Sequence, residues 1–184
     1  MVREYEPVRR VVASTDDQGR SCVIYDSDAP NVHPRPNSPG TYFYELWTLD
    51  NCPISLAGKK DGSPADQPLN HSPPAEGAHW RIVRSSGDQK KLDPEKARQS
   101  HAIMNRSGAS ELKDGGRHWN IHRTPPLDYG FCLKEERHLV LEEADVLVKQ
   151  GDIVVQLGNW HAWDNRSGVD VDMAYVMIGG ETSS

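Results

Sequence analysis

One stretch near the C-terminus constrains the chain more than any other: Gly151-Asp152-Ile153-Val154-Val155-Gln156-Leu157-Gly158-Asn159-Trp160-His161-Ala162-Trp163-Asp164-Asn165. It reads as a buried strand, a glycine turn and a second strand that begins with a histidine. Gly158 permits the positive φ of a tight turn. The two-residue period of a strand then places Asn159, His161, Trp163 and Asn165 on one face, and Trp160, Ala162 and Asp164 on the other. A polar and aromatic set turned into a small β-barrel makes a ligand-lined cavity rather than a sealed core.

A second cluster lies upstream, in His118-Trp119-Asn120-Ile121-His122-Arg123-Thr124-Pro125-Pro126-Leu127-Asp128-Tyr129-Gly130. If this segment is extended, His118, Asn120, His122 and Thr124 share a face. Asp128 opens the next strand, where Asp128, Gly130, Cys132 and Lys134 alternate with Tyr129, Phe131 and Leu133. An imidazole pair plus one carboxylate, with coordination positions left open, suits divalent iron and also manganese, nickel or zinc. His122, Asp128 and His161 supply that set, with His118 as a spare ligand or a support behind the others. A simple electrostatic pair between His122 and Asp128 at a strand end is the competing reading.

These two clusters resemble the two short motifs of the cupins, a β-barrel superfamily. The second cupin motif is usually written G-x5-P-x-G-x2-H-x3-N. Gly151, Gly158, His161 and Asn165 match it at the right spacing, with Gln156 in place of the proline. The first motif, G-x5-H-x-H-x3,4-E-x6-G, is matched loosely by Gly116 and His122, with Thr124 at the second histidine, Asp128 at the glutamate and Glu135 at the last glycine. The variant H-x-T-x3-D-Y-G is similar to a subgroup of small single-barrel cupins of bacteria and fungi. The resemblance covers residues 116–178. It implies an all-β fold, a single RmlC-like jelly-roll barrel with extra N-terminal strands and one short helix. It also implies a homodimer, in which the N-terminal strands pack on a second subunit. The cofactor implied is a divalent metal ion, although some cupins work without one and the second motif histidine is missing here.

Composition agrees with one domain over residues 1–184, long enough for one core and short for two. Thirteen prolines, fifteen glycines and 36 % hydrophobic residues fit a β-rich chain with many turns. A net charge of −6 and no basic cluster with interleaved aromatics argue against a nucleic-acid binder. No apolar run approaches the roughly 20 residues that span a bilayer, and the first residues lack the apolar centre of a signal peptide. Three widely spaced cysteines, Cys22, Cys52 and Cys132, read as reduced thiols of a cytoplasmic protein.

Along the chain, residues 8–14 and 21–25 flank Asp16-Asp17-Gln18-Gly19 as a β-hairpin. Residues 31–40 are proline-rich and read as loop, residues 41–48 as a strand. Residues 57–77 carry prolines and glycines without periodicity and read as a mobile surface excursion. A strand follows at 78–84. Asp93 then caps a helix with Pro94 at its first position, running to about residue 104. Residues 107–116 lead into the site and read as a lid. Residues 1–92 thus form the N-terminal strands and excursion, 93–104 the helix, and 116–178 the motif-bearing barrel, with strands at 129–133, 138–141, 145–148, 153–157, 160–163 and 172–178.

The catalytic set expected from this reading is His122, Asp128 and His161, joined by Tyr175 as a proton donor. The same three polar residues are the expected metal ligands. His118, Asn120, Thr124, Trp163 and Arg123 are expected to bind substrate, with Trp163 and Trp119 as a flat apolar wall and Arg123 or Arg117 holding one carboxylate. The walls offer no arginine cluster in this reading. Metal can polarise an oxygen or activate dioxygen, and histidine with aspartate can act as base and acid alone. The expected activity is a metal-assisted lyase or isomerase, a dehydratase or decarboxylase, acting on a small oxygenated, polyketide-like metabolite. An iron(II) dioxygenase and a non-catalytic ligand-binding cupin are the alternatives. The expected partner is a small molecule, with no membrane and no nucleic acid.

Overall fold

Alternating sequences become paired strands only where the pattern on each strand meets a matching one. A computed structural model describes residues 5–54, 60–88 and 91–180. In chain order the elements are β1 (Arg9–Thr15), β2 (Ser21–Asp28), β3 (Asn31–Pro34), β4 (Tyr42–Leu49), β5 (Ala78–Ser85), α1 (Pro94–Met104) and β6 (Glu111–Leu112). They continue as β7 (His122–Arg123), β8 (Leu127–Lys134), β9 (Glu136–Val140), β10 (Asp145–Lys149), β11 (Ile153–Leu157), β12 (Ala162–Asp164) and β13 (Val171–Ile178). The fold is all-β with one helix, as expected from the sequence.

Six strands form one antiparallel sheet in the order β11-β8-β13-β5-β4-β3, and three form a second in the order β10-β9-β12. Their apolar faces share one core of Phe43, Val83, Met104, Leu139, Val148, Trp163, Val171, Met173 and Met177. The pairing register lines up one inward row across the larger sheet: Val154, Gly130, Tyr175, Arg81 and Glu45. A Cβ at Gly130 would stand in ordinary van der Waals contact with the Tyr175 ring, at 3.4 Å.

The helix forms where the sequence predicts. The Asp93 side chain accepts from Lys96 N at 2.9 Å and Pro94 occupies the first turn. Ala97, Ser100, His101 and Met104 make its buried face, at helical spacing.

Two expectations are corrected. Residues 31–34, read as loop, form β3, which its proline tolerates because β3 is the edge of the sheet. The 57–77 excursion lies partly outside the described residues, but its later part is anchored. The Arg10–Asp61 pair at 2.6 Å holds it, Arg81 donates to Asn70 O at 2.6 Å, and His71 N donates to Met104 O at 2.8 Å. Strand β8 puts Tyr129, Phe131 and Leu133 on the face opposite Asp128, as the alternation predicts. They face outward from the large sheet, beside Val155 and Ile153 of β11. The N-terminal hairpin packs through Arg10, which donates to Leu46 O at 3.1 Å and lies over the Tyr25 and Trp47 rings.

Candidate functional site

The positive φ of Gly158, 64°, turns the chain out of β11 so that His161 meets His122 across an isolated antiparallel bridge. The two residues exchange both backbone hydrogen bonds, His122 N to His161 O at 2.8 Å and His161 N to His122 O at 2.9 Å. Residues opposed in this way project side chains to the same face, and the two rings lie 4.6 Å apart between centroids. Each ring is fixed from behind. His122 Nδ1 donates to Asn120 O at 2.8 Å and His161 Nδ1 to Asn159 O at 2.9 Å. A carbonyl can only accept, so both Nδ1 atoms carry the proton and both Nε2 atoms keep a lone pair.

These imidazoles border a cavity of about 70 Å³, partly open to solvent. At about 10–15 Å³ of such space per water, it takes roughly five waters or a ligand head of a few atoms. Asn120, His122, Thr124, Asp128, His161, Trp163 and Tyr175 all line it, so the structure gathers most of the residues named from sequence. Two do not join. His118 lies on the far side of a turn, closed by Ile121 N to His118 O at 3.2 Å, and approaches Asp164 at 3.5 Å. That contact and Arg166 hold the Asp164 carboxyl well below the usual carboxylate range. The segment before His122 is therefore a turn rather than the extended strand expected. Arg123 neighbours His122 on the strand and so points away, pairing with Glu111 at 2.7 Å over the Trp160 ring. Arg117 likewise pairs outside, with Asp145 at 3.2 Å.

The cavity also holds residues the sequence did not single out: His71, Arg35, Arg81 and Arg137. The His71 ring sits 4.6 Å from His122, making a run of three imidazoles. Ser110 Oγ ties His71 Nδ1 (3.1 Å) to His101 Nε2 (2.8 Å) on α1, so the segment expected to be a lid is a brace. Arg81 and Glu45 form a buried ion pair at 3.0 Å. The absence of an arginine cluster expected from sequence is overturned. Arg81 and Arg137 stand at inward positions of β5 and β9, and Arg35 follows the edge strand β3.

Burial decides the charges. Desolvation, then the neighbouring charges of His161 and His71, pushes the His122 imidazole well below its ordinary value. Desolvation and Arg81 do the same for His71. His161 is brought down to about 4, mainly by desolvation. All three are neutral near pH 7. Asp128 moves the other way: desolvation raises its carboxyl to about 7, opposed by Arg81. Its Oδ1 has no hydrogen-bond partner among the described residues, and the Tyr175 hydroxyl stands beside Arg137. The Tyr175 phenol is pushed above its ordinary range by burial, so it remains a donor.

A metal is the cofactor implied by the resemblance, and the paired Nε2 lone pairs of His122 and His161 suit one. The third expected ligand does not join them. No group of three His, Cys, Asp or Glu side chains among the described residues is arranged to share an ion. The set His122, Asp128 and His161 therefore does not fit a metal as it stands.

No family model matches the sequence. Over 48 residues, 26 % of this chain, it is 46 % identical to the phomopsin biosynthesis cluster proteins C′ and D of Diaporthe leptostromiformis. The matched segment spans about a quarter of those relatives, 25 % of each. Among solved structures, the chain is similar to the Cnp3 cupin domain of Schizosaccharomyces pombe, with TM-score 0.46 and 9 % identity over 95 % of this chain and 89 % of that one. It is also similar to a cupin-2 domain of Rhodospirillum rubrum, with TM-score 0.43 and 10 % identity over 98 % and 76 % of the two chains. A Cupin 2 conserved barrel domain protein of Salinispora arenicola gives TM-score 0.40 and 12 % identity over 80 % and 81 %. All three are described as cupin proteins.

Proposed function

We propose that this chain is a small-molecule enzyme of cupin type, of the H-x-T-x3-D-Y-G subgroup, that carries out a lyase or isomerase step on a small oxygenated metabolite. One observation carries the reading: a buried carboxyl raised to about 7, with a free oxygen, shares a cavity with neutral imidazoles. Groups whose environments push their proton affinities apart are the usual mark of an acid and base pair. In a dehydration, the Nε2 of His122 or His161 takes a proton from a carbon beside a carbonyl. Protonated Asp128 gives one to the departing hydroxyl, which leaves as water. The proton then returns from imidazolium to Asp128 through solvent. Tyr175 donates a hydrogen bond to the developing oxyanion, and Trp163 forms the apolar wall. The short match to phomopsin cluster proteins favours a place in secondary metabolism.

The test is incubation of the protein with a panel of small hydroxy and oxo compounds in D2O without oxygen, followed by proton NMR. Deuterium incorporation, loss of water or loss of carbon dioxide is expected, and Asp128→Asn should abolish it. Turnover only in the presence of dioxygen would overturn the reading in favour of the iron(II) dioxygenase. That second reading has one observation in its favour, the pair of backbone-held Nε2 lone pairs.

The working unit of this proposal is a homodimer in the cytoplasm, without nucleic-acid or membrane partners. No helix among the described residues is long and apolar enough to cross a membrane. The outer face of the large sheet exposes Ile153 (65 %), Val155 (56 %) and Leu157 (78 %) on β11 and Trp80 (51 %) on β5, and half-buried Tyr129 of β8 and Val176 of β13 join Val155 to Trp80 in one cross-strand row. A contiguous apolar face of this kind on an antiparallel sheet is a natural subunit contact.

A further inference from the structure

Two guanidinium groups in the cavity have no carboxylate at ion-pair distance among the described residues, although Asp164 is close enough to Arg137 to favour its charge. Arg35 and Arg137 are both buried, 8 % and 3 % exposed. Neither forms an ion pair among the described residues, unlike Arg81, which has Glu45, and Arg84, which has Asp172 at 2.7 Å. Arg35 gives one bond, Nη2 to Asn120 Oδ1 at 2.8 Å, and Arg137 gives one longer bond, Nη2 to Trp163 O at 3.3 Å, with the Tyr175 hydroxyl also beside it. The Nε of each has no partner among the described residues. A guanidinium carries five N–H donors, so much of this donor capacity, on two side chains that line the cavity, has no partner among the described residues.

The two groups are also held in place. Arg35 lies over the Trp119 ring at 5.0 Å and Arg137 over the Trp163 ring at 5.8 Å. Stacking on indole fixes a guanidinium plane while leaving its donor edge free. The imidazoles around them are never anionic and contribute no counter-charge. Among the described residues Asp128 is the one carboxyl lining the cavity, and it forms no ion pair with either guanidinium. Burial and the charge of Arg137 lower Arg35, but only to about 10, so it stays cationic. The cavity is therefore positive and rich in donors. Burying a charge without a partner is strongly unfavourable.

We propose that Arg35 and Arg137 bind the carboxylate of the substrate, so that the molecule acted on by this cavity is a small carboxylic acid. This rests on the enzyme reading above and specifies its substrate class. The planar fork of a guanidinium matches the two oxygens of a carboxylate. The cavity of about 70 Å³ suits a compact acid head better than a bulky anion. With the carboxylate held there, the carbon beside it is presented to the imidazoles, and the wall of Trp163 and Met177 receives the rest of the molecule.

The experiment titrates the protein with lactate and pyruvate against lactamide and methyl pyruvate, and with inorganic phosphate. It reads calorimetry, thermal shift and the 15N resonances of the arginine Nε groups. Lactate or pyruvate is expected to bind and raise the Tm, with movement of two buried arginine resonances, while the amide and ester do neither. Arg137→Met and Arg35→Met should weaken binding at least tenfold, and each ligand-free variant should melt no lower than the wild type. Arg137→Lys keeps the charge without the fork and should bind with intermediate affinity. The resonance shifts test the site even if the methionine variants fail to fold. Equal binding of acid and amide, or phosphate binding as tightly as the acids, would overturn the assignment. Asp128→Asn separates the two claims, because it should keep acid binding while losing turnover. Full turnover in Asp128→Asn, with binding lost in the arginine variants, would remove the acid–base reading and leave the carboxylate anchor standing.

Discussion

Replacing Asp128 by Asn should make the protein more stable at pH 8 while leaving it unchanged at pH 4. Asp128 is raised from 3.8 to about 7 by burial in the folded chain. The folded state therefore holds this proton more tightly than the unfolded state does. Stability from this group is fully present below about pH 3.8 and is lost as pH rises to about 7. A gap of about 3 pH units, at about 1.4 kcal/mol each, makes the loss about 4 kcal/mol. The asparagine is neutral at every pH and loses nothing. The imidazoles act with the opposite sign: His122, His71 and His161 are lowered, so their contribution is present above the ordinary value of 6.5 and is lost as pH falls. Both proteins carry these histidines, so the difference between their curves isolates Asp128. Urea unfolding followed at several pH values measures it. With a slope of about 2 kcal/mol per molar urea, the midpoints should coincide at pH 4 and differ by about 2 M at pH 8. Parallel curves across that range would show that Asp128 titrates normally and would remove the acid from the proposed chemistry.

Three further outcomes are expected. A Cβ at position 62 would lie 2.5 Å from the Trp47 ring, so Gly62→Ala should cost about 1–3 kcal/mol by overpacking; an unchanged denaturation midpoint would contradict this. The paired substitution Val155→Asp and Leu157→Asp should turn a dimer into a monomer in light scattering, and a wild-type protein that is monomeric at all concentrations would refute the subunit contact. After chelator treatment and reloading with iron, manganese, nickel or zinc, the wild type should retain well under one ion per chain through gel filtration. One tightly held ion per chain, lost in His161→Ala and His122→Ala, would restore the metal site.

The barrel was legible because strand alternation is a local signal. Leu127–Lys134 and Val171–Ile178 show inward and outward residues directly in their sequence, and Asp93 followed by Pro94 announces the helix. His122 and His161 were legible through spacing around glycines. What stayed hidden depends on pairing across the chain. His71 sits in an aperiodic segment whose path is set by Arg81 and the end of α1, neither of them near it in sequence. Arg35 follows a proline-rich edge. Arg81 and Arg137 did leave a trace, since period two puts them with Val83 and Leu139 among inward positions. Charged residues at such positions mark either a buried pair or a binding site. Which of the two holds became visible only when Glu45 was found opposite Arg81 and no described carboxylate at ion-pair distance from Arg137. Tertiary packing also turned the stretch before His122 from strand into turn and left His118 outside the cavity.

The unanswered guanidiniums have a consequence for the life of the protein as well as for its chemistry. A chain that buries cationic groups without partners folds against a penalty that only an occupant relieves. Occupancy stabilises the folded form by RT ln(1 + [L]/Kd), and quality control removes chains according to the fraction that is open. The steady-state amount of this protein in a cell should then rise when its acid is plentiful and fall when it is scarce, with no change in synthesis. The cavity would act as a gauge of supply, setting how much of the protein survives to use it.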